Sequence, residues 1–333
     1  MSKIAIIGAG TWGLALANLL DTNGHDVTVY VRNSVQVMSL SRNRTCDKLP
    51  GLVLSKKIEL TNSVDLAMSD KNVIVYAIPS NAFREVVKNT IKKTNGNECL
   101  ITVTKGMEDK TLYTMSEILE DELKESGIKN HKIAALSGPT HAEEVAIAMP
   151  SMAVPTSKDM KIAKFVQDLF MNEYFRVYTN TDIKGVEVCA AFKNIIALAS
   201  GVVEGLGYGD NIKAGLMTRG LAEMVRVGKV LGCKKDTFYG LAGLGDMIVT
   251  ATSLHSRNYR CGVLIGKGKN PKRAIEEIGM VVEGINFIPK AMRIKRKYKI
   301  DLPITNAMND IAIKGKDPRE ISTLLMIRKR KSE

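Results

Sequence analysis

A lysine in an apolar stretch is the residue of this sequence that most needs a chemical explanation. Lys193 lies in AAFKNIIALA, where every neighbour except Asn194 is apolar or small. If this stretch is a buried helix, desolvation disfavours the ammonium form and lowers the pKa of lysine towards that of a useful general acid or base. The alternative is that the stem of the lysine covers an apolar face while its amine reaches water. The residues around Lys193 therefore decide whether it is a candidate for catalysis.

Four other polar residues of the second half could form a site with this lysine. Asp246 lies in GLAGLGDMIVT, and Ser256, Arg257 and Asn258 are consecutive in SLHSRNYR. Because the planar guanidinium of arginine matches a phosphate group, we interpret the consecutive residues as a donor cluster for a phosphorylated ligand. A surface turn is the competing interpretation of the same residues.

Two turns of the first half follow predicted strands and are candidate ligand contacts. Lys105 lies in TVTKGMED, and ligands of open α/β sheets bind at the carboxyl ends of strands, so we predict that it faces a cleft. Ser137 to Thr140 precede a predicted helix at His141, and we predict that Thr140 supplies an N-cap hydroxyl while backbone N–H groups face an anion. A solvated loop is the alternative for Lys105, and capping alone would explain Thr140.

A GxGxxG motif lies where the first predicted strand meets the first predicted helix. Gly8, Gly10 and Gly13 of GAGTWG follow the strand Ile4–Ile7 and open the helix Leu14–Leu20. At such a junction the first glycine allows the tight turn, the second lets the backbone approach a pyrophosphate, and the third lets helix and strand pack closely. The helix N-terminus supplies N–H donors for the phosphates. The motif therefore predicts a dinucleotide site.

Two residues near this motif bear on the form of the cofactor. The second predicted strand ends with Arg32 and Asn33, where an NAD preference would place Asp or Glu. Since arginine tolerates or favours a 2′-phosphate, NADPH is at least as well suited as NADH, unless Arg32 only caps an exposed strand end. Trp12 packs either in the core or beside the dinucleotide.

The first half alternates short β-branched runs with helical patterns, which predicts a parallel sheet covered on both faces. The predicted strands are KIAIIG, DVTVYVR, NVIVYAIP, LITVTKG, HKIAALSGP, MAVPTS and YFRVYTN. A helix is predicted from Thr111 to Glu125, and the pattern is helical to the end after Asp182, a predicted N-cap. We therefore predict an α/β protein with an N-terminal Rossmann-type doubly wound sheet in a dinucleotide-binding domain, residues 1–180. An all-helical C-terminal domain, residues 181–333, would bind substrate and carry out catalysis.

The charge balance narrows the possible partners. The 48 Lys and Arg against 35 Asp and Glu give a net charge of +13, which suits nucleic acid, an anionic membrane or a phosphorylated metabolite. Much of the excess lies in residues 290–299 and 328–331, which we interpret as solvated faces because aromatic residues are only 5% and form no base-stacking motif. We therefore expect no nucleic-acid partner and at most peripheral membrane contact.

Several other function classes have no support in the sequence. The five cysteines show no CxxC spacing and the four histidines no metal-ligand spacing, so we expect free thiols, a reducing cytoplasm and no metal. No serine lies in a GxSxG motif, which argues against acyl-enzyme chemistry. The N-terminus does not resemble a signal peptide. The apolar stretch 188–203 falls short of the ~20 residues of a membrane span and contains Lys193.

Blocks of sequence spread over nearly the whole chain carry a family resemblance. In order they are GAGTWG, KLPGLVL, AIPSNAFREV, TKGME, SGPTHAEEVA, AAFKNIIALASGVVEGLG, GLAGLGDMIVT, SRN and VVEGI. Together they resemble the bacterial type of NAD(P)-dependent glycerol-3-phosphate dehydrogenase. AAFKNI, GLGD and SRN are not shared by dehydrogenases in general, so the resemblance is more specific than the glycine motif. It implies reversible reduction of dihydroxyacetone phosphate to sn-glycerol 3-phosphate, which would supply glycerophospholipid synthesis.

The resemblance also implies roles for matching residues. Lys193 would exchange the proton, with Lys105, Asp246, Asn194 and Thr250 as its active-site companions. Substrate would be held by these lysines and Asp246 together with Gly138, Thr140, Ser256, Arg257 and Asn258. Around NADPH or NADH, the resemblance places Gly8, Gly10, Thr11, Trp12, Gly13, Arg32, Lys105, Ala142, Arg257, Val281 and Glu283. Thr140 and His141 depart from the Ser and Phe of many relatives; threonine keeps the hydroxyl, whereas His141 could alter packing or pH response.

Two other functions stay open at this stage. A β-hydroxyacid or ketopantoate-type reductase would also join a dinucleotide domain to a helical domain with a lysine, but it would not need a phosphate cluster at Arg257. A dinucleotide-sensing binding protein without enzymatic activity would use the basic C-terminal segments to bind nucleic acid or lipid, with a steep dependence on salt. A homodimer is the default expectation for an enzyme of this size.

Overall fold

The computed structural model describes residues 1–130 and 132–330. His131, the first residue of one predicted strand, and Lys331, the last residue of the second basic run, lie outside the described residues. The chain divides into two compact units, Met1–Glu187 and Val188–Glu333. The division falls a little later than the domain boundary expected after residue 180, and it lies inside a long helix.

The first unit is built on one mixed sheet. In the part of the chain that the structure describes, its strands are β1 Lys3–Ile7, β2 Asp26–Tyr30, β3 Glu59–Thr61, β4 Val73–Tyr76, β5 Cys99–Thr102, β6 Ile133–Ser137, β7 Ser151–Thr156 and β8 Phe175–Val177. They lie in the order β3-β2-β1-β4-β5-β6-β7-β8. The chain therefore winds outwards in both directions from β1, which confirms the predicted doubly wound α/β architecture.

The six strands β1 to β6 run parallel to one another. β7 is antiparallel to β6, and β8 runs parallel to β7. The expectation of an all-parallel sheet was therefore wrong at this edge. A parallel return needs a connection long enough to travel back along the sheet. Residues 138–150 contain only a five-residue helix, so β7 starts at the edge where β6 ended.

The strands are apolar on both faces because each face carries its own core. In β1, Ile4 and Ile6 join one buried cluster, whereas Ala5 and Ile7 join the other. The same alternation holds in β4, where Val73 and Val75 contact the first cluster. Near-continuous apolar runs therefore reflect burial by helices on both sides.

The helices of the first unit cover these two faces. They are α1 Thr11–Thr22, α2 Ser34–Asn43, α3 Val64–Met68, α4 Phe83–Ile91, α5 Met115–Glu125, α6 Ala142–Ala146 and α7 Met160–Phe170, with a 3₁₀ turn at Ser80–Ala82. The helix predicted from Thr111 begins only at Met115. Thr114 and Glu117 form a capping box there, which sets the start of α5.

The described part of the second unit is entirely helical, as predicted. Its helices are α8 Ile183–Gly205, which begins in the first unit, α9 Asp210–Val230, α10 Asp246–Thr252, α11 Arg257–Gly266, α12 Pro271–Ile278, α13 Glu283–Tyr298, α14 Pro303–Met308 and α15 Pro318–Met326. Shorter turns lie at Lys235–Tyr239, Leu241–Gly245 and Asn309–Ile313. Asp182 caps α8 by accepting a hydrogen bond from the Gly185 N–H at 3.0 Å, as expected.

By length and composition alone, α8 could cross a membrane, and it is the one described helix that could. It has 23 residues, and its most apolar window has a mean hydropathy of 1.7. The apolar stretch 188–203 is shorter than a span, as expected, but the helix extends beyond it at both ends. However, 94% of that window is buried within the protein. The apolar character of α8 is therefore explained by its place in the core.

Close helix packing in the second unit is made possible by glycine. Gly201 and Gly205 of α8 face Gly262 and Gly266 of α11. A Cβ on Gly201 would lie 2.0 Å from the Tyr259 carbonyl oxygen, and a Cβ on Gly262 would lie 2.1 Å from that of Leu198. Since no side chain fits between the two backbones, α8 and α11 touch directly, which sets the position of the residues at the start of α11.

A buried carboxyl group joins α8 to the start of α5 within the first unit. Glu187 accepts hydrogen bonds from the Ser116 backbone N–H at 2.9 Å and from the Ser116 hydroxyl. Burial raises the pKa of Glu187 to about 7, although the hydrogen bonds from Ser116 and Thr114 act in the opposite direction. Burial therefore moves the ionisation of this carboxyl group from acidic towards neutral pH.

Glu187 should make the free energy of unfolding depend on pH. Because its pKa in the folded protein lies above the ordinary value of 4.5, its contribution is complete below about pH 4.5 and is lost as the pH rises through 7. Between pH 5 and pH 8 the wild type should lose about 3 kcal/mol of unfolding free energy through this carboxyl group. Glu187→Gln should not show this loss, because glutamine does not titrate. Urea unfolding at several pH values measures this. Glu125→Gln, at an exposed position of α5, is the control, and parallel pH profiles for wild type and Glu187→Gln would contradict the prediction.

Candidate functional site

The glycine motif forms a tight turn between β1 and α1. Gly8 has φ +120°, and a Cβ there would lie 2.5 Å from the Ala77 carbonyl oxygen. A Cβ on Gly13 would lie 2.1 Å from the Gly8 carbonyl oxygen. By contrast, Gly10 is exposed, with φ −75°, and a Cβ there would meet nothing within 4 Å. Packing therefore explains Gly8 and Gly13, whereas open space lies above Gly10 at the start of α1.

This open space fits a dinucleotide. Gly10 is the N-cap of α1 and offers no side-chain hydrogen bond, so the first N–H groups of the helix are not capped by its own side chain. A helix N-terminus with uncapped donors favours phosphate. Gly8, Gly10, Thr11 and Gly13 would hold the pyrophosphate here.

The other two predicted cofactor residues of this region behave differently from each other. Trp12 is half-buried and packs against the core cluster of β1, and its Nε1 is buried without a hydrogen-bond partner. Its role as core residue is thus clear, and contact with the dinucleotide stays a prediction. Arg32 is exposed just beyond β2, while the neighbouring Asn33 caps α2 by accepting from the Gln36 N–H at 3.1 Å. Asn33 therefore caps the start of α2, and the choice between a cofactor contact and a strand-end cap for Arg32 stays open.

Further predicted residues follow β5 and β6, at the same carboxyl edge of the sheet as the glycine turn. Lys105 is half-buried, and its ammonium lies 3.5 Å from the Gly138 carbonyl oxygen. Gly138 has φ +143°, and a Cβ there would lie 2.7 Å from the Met152 carbonyl oxygen. The edge therefore brings Lys105 and Gly138 together, as expected of strand ends in such a sheet.

Thr140 does not cap the following helix, contrary to the prediction. Its hydroxyl donates to the Gly138 carbonyl oxygen at 3.3 Å, so the side chain turns back to the preceding loop. α6 starts at Ala142 with His141 as N-cap, and His141 makes no side-chain cap bond. Ala142 packs against the same core cluster as Trp12.

In the second unit, Lys193 is held in a buried ion pair. The residue is 4% exposed, and its ammonium donates to a carboxylate oxygen of Asp246 and, at 2.8 Å, to the hydroxyl oxygen of Thr250. Thr250 in turn donates to the Asp246 backbone carbonyl at 2.5 Å. The alternative of an amine that reaches bulk water is therefore wrong. α8 supplies the lysine and the single helix α10 supplies both partners.

A second set of hydrogen bonds lies one residue further along α8. Asn194 accepts from the Asn258 amide at 3.0 Å, and Asn258 accepts from the Gly284 N–H at 2.8 Å. A Cβ on Gly284 would lie 2.5 Å from the Asn194 carbonyl oxygen, so only glycine fits. Gly284 was not among the predicted residues, although the VVEGI block contained it. α8, α11 and the start of α13 are thus joined beside Lys193.

Ser256 and Arg257 lie at the start of α11 with different roles. Ser256 is the N-cap, and its hydroxyl oxygen accepts from the Tyr259 N–H at 3.2 Å. Ser256 is thus a capping residue whose hydroxyl hydrogen can still be donated, so its place in a donor cluster stays a prediction. Arg257 is half-buried in the first turn of α11. The start of α13 contributes Glu283, which is half-buried, and the preceding loop contributes Val281, which is exposed.

This arrangement is suited to proton transfer. A buried ammonium held by one carboxylate and one hydroxyl has a fixed direction, which general acid–base catalysis requires. Among residues 1–130 and 132–330, no group of three or more His, Cys, Asp or Glu is placed to hold a metal ion.

Comparisons with known proteins assign the chain to one group. A family model described as the N-terminus of NAD-dependent glycerol-3-phosphate dehydrogenase matches residues 3–163, and the model of its C-terminus matches residues 182–323. Together they match most of the chain and cover both units.

Individual proteins give the same result. A protein of Lactobacillus delbrueckii subsp. bulgaricus named glycerol-3-phosphate dehydrogenase [NAD(P)+] 2 is 48% identical over 334 residues, which cover all of this chain and 99% of the relative. A glycerol-3-phosphate dehydrogenase [NAD(P)+] of Fusobacterium nucleatum subsp. nucleatum is 44% identical, with the same coverage. The crystal structure of glycerol-3-phosphate dehydrogenase from Coxiella burnetii is similar with a TM-score of 0.93 and 33% identity, covering 98% of this chain and 99% of that one.

The glycine turn allows the structural and the cofactor-binding roles of its residues to be separated. Gly10→Ala should leave thermal stability unchanged, because nothing meets the new Cβ, but should weaken dinucleotide binding by ~10-fold or more, roughly 1.4 kcal/mol, by blocking the approach of the pyrophosphate. Gly13→Ala should instead lower the free energy of unfolding by roughly 1–3 kcal/mol, since its Cβ meets backbone. Thermal unfolding and fluorescence titration with NADH and NADPH measure both. Unchanged cofactor affinity in a folded Gly10→Ala protein would count against the site.

Proposed function

Since this chain belongs to the NAD-dependent glycerol-3-phosphate dehydrogenase family, we propose that it catalyses the reversible reduction of dihydroxyacetone phosphate to sn-glycerol 3-phosphate with Lys193 as general acid and base. It is an oxidoreductase that uses NADH or NADPH. The ketopantoate-type alternative is not supported, because both family models and the named relatives belong to the glycerol-3-phosphate enzymes. The observation that carries the catalytic assignment is the buried Lys193 ammonium with its two fixed partners.

When bound, the reduced nicotinamide supplies a hydride to the C2 carbonyl carbon. Lys193, as ammonium, donates its proton to the oxygen at which negative charge develops, and in the opposite direction the neutral amine accepts the proton of the C2 hydroxyl. Asp246 stabilises the ammonium by a charge-assisted hydrogen bond that opposes its desolvation. Thr250 fixes the direction of the remaining protons by accepting one of them.

The other site residues receive the roles that the family resemblance implies, and their local surroundings support some of these roles. Asn194 is held by Asn258 beside Lys193 and orients the substrate oxygen. Arg257, in the first turn of α11, binds the phosphate, where its fork and the helix N-terminus both favour an anion. Lys105 polarises the carbonyl and contacts cofactor. Gly138 and Thr140 contribute backbone and hydroxyl groups to the substrate.

The remaining cofactor contacts are assigned in the same way. Trp12, Arg32 and Ala142 lie in the first unit near the glycine turn or at the sheet edge, and Val281 and Glu283 lie before and at the start of α13. Arg32 suits a 2′-phosphate, so NADPH is accepted at least as well as NADH.

We also propose a cellular setting. The five cysteines form no disulfide, which is compatible with a reducing cytoplasm, and the product is a backbone for glycerophospholipid synthesis. A homodimer is the expected assembly. Of the basic runs expected to be solvated, Lys290 is buried, which corrects that expectation, whereas Arg296, Lys297 and residues 328–330 are exposed, and we propose at most peripheral membrane contact for them.

Lys193→Ala should lower turnover by ~10² to 10⁴, the usual weight of general acid catalysis, while NADPH still binds. Reduction of dihydroxyacetone phosphate is followed by loss of NADPH absorbance, and binding by fluorescence titration. The matched control is Lys290→Ala, which removes another buried lysine, on α13, outside the proposed site. Turnover near the wild-type rate in Lys193→Ala would remove this residue from the chemistry.

Arg257→Ala should raise KM for dihydroxyacetone phosphate strongly. The rise should correspond to a loss of ~2–4 kcal/mol of binding free energy, because a desolvated charge pair is lost. The control is Arg260→Ala, an exposed arginine one turn further along α11. Unphosphorylated dihydroxyacetone distinguishes the phosphate contact from general damage, because its kcat/KM should fall much less in Arg257→Ala. An equal fall for both substrates, or an unchanged KM, would contradict the phosphate role.

A further inference from the structure

Arg84 is bound by three carboxylates in the first unit. It lies in the first turn of α4, and its guanidinium forms a bidentate pair with Glu108, with Nε–Oε1 and Nη2–Oε2 distances of 2.6 and 3.0 Å. The remaining terminal nitrogen donates to Asp121 and to Glu122 of α5, at 2.6 Å each. One side chain thus joins three parts of the chain: α4, the loop after β5, and α5.

This cluster is stronger than an ordinary surface ion pair. The side chain of Arg84 is 27% exposed, that of Glu108 is 16% exposed and that of Glu122 only 3%. The Arg84 guanidinium holds the pKa of Glu108 below its usual value. Because the geometry is bidentate and the groups are partly buried, solvent screens these interactions less than it screens exposed pairs.

The loop that Arg84 grips is the one that carries Lys105. Glu108 lies three residues after Lys105, and its carboxylate also accepts the Thr111 hydroxyl at 2.5 Å. The Glu108 backbone N–H donates to the Tyr113 carbonyl oxygen at 2.8 Å. The chain on the far side of Lys105 is therefore fixed at Glu108 by both side-chain and backbone bonds.

The near side of Lys105 is fixed to the same stretch of chain that bears Arg84. The Thr104 hydroxyl donates to the Ile78 carbonyl oxygen at 2.7 Å. Gly106 has φ +152°, and a Cβ there would lie 2.6 Å from the Cβ of Ser80. Contacts with residues 78–84 therefore fix the loop on both sides of Lys105.

We propose that Arg84 is a positioning residue for the reaction, which acts by fixing the backbone of residues 104–108 and thereby the direction of the Lys105 amine. The inference rests on the proposed function, because that is where Lys105 is assigned to the substrate. Small displacements of an otherwise intact catalytic group reduce turnover strongly, so a fixed loop matters more for kcat than for the fold.

The geometry also explains why the residue is arginine. Only a planar fork with five donors can pair bidentately with Glu108 and still reach Asp121 and Glu122. A lysine at position 84 would keep the charge but could form only part of this set. Arg84→Lys should therefore keep part of the kcat that Arg84→Ala loses.

The experiment compares variants that break different contacts of Arg84. Arg84→Ala and Glu108→Gln should lower kcat for dihydroxyacetone phosphate by ~10-fold or more, with Arg84→Lys in between, and should change the dissociation constant of NADH no more than Lys105→Ala does. Asp121→Asn is the matched control: it weakens an Arg84 contact to α5 but keeps the pair with Glu108, and kcat should stay within twofold of wild type. Should Arg84→Ala not fold, Glu108→Gln still tests the loop contact.

A background without Lys105 separates positioning from general structural damage. If Arg84 acts through Lys105, Arg84→Ala should reduce kcat no further once Lys105→Ala is present. Full additivity, or equal losses in Glu108→Gln and Asp121→Asn, would overturn the inference and leave the proposed function intact. A normal kcat in Lys105→Ala alone would instead remove Lys105 from the proposed site, and the positioning role of Arg84 with it.

Discussion

The burial of a charged amine in the core of the second unit sets the requirements that much of this unit meets. An ammonium group removed from water needs an opposite charge and hydrogen-bond acceptors, and Lys193 has Asp246 and Thr250. Both partners lie on the short helix α10, so α10 must lie against α8 at this level. α11 lies on α8 by glycine contact, which brings Asn258 to Asn194. Loss of either contact would remove hydrogen bonds from buried polar groups, which is costly in free energy.

The ion pairs of Lys193 and of Arg84 use charge in two different ways. Lys193 has one carboxylate and a neutral hydroxyl, so the net charge of the pair is zero and the amine can exchange a proton. The Arg84 guanidinium, which does not deprotonate, forms ion pairs with three carboxylates. The first cluster suits chemistry, whereas the second suits permanent attachment of a loop.

The fold was predictable from the sequence wherever a residue pattern is compatible with only one local structure. Apolar runs in β1 and β4, the glycines before α1 and the cap at Asp182 all met this condition. β3 was missed, because Glu59–Thr61 has three residues and an exposed glutamate, which is too short for a strand pattern. The direction of β7 depends on the length of its connection, and the hydroxyls of Thr140 and Ser256 can either cap a helix or bind a ligand. Such choices are made by the surrounding chain. The lysine in an apolar helix was recognisable from the sequence as a candidate, although its burial could be decided only by the structure; Gly284 and the partners of Arg84 were not recognisable, since they depend on contacts between distant segments.

The Lys193–Asp246 pair also has a consequence for the direction of the proposed reaction. A carboxylate at hydrogen-bond distance favours the charged form of an amine, so the resting site holds a proton ready to donate. After donation to the substrate oxygen, a neutral amine would remain beside the buried carboxylate of Asp246. Because a nearby carboxylate favours the charged form of an amine, the amine regains a proton readily. Oxidation of the alcohol must begin from that less stable deprotonated state. In the proposed mechanism, the ion pair that holds the lysine in place therefore also keeps the proton that reduction of the ketone consumes, whereas oxidation of the alcohol needs the neutral amine.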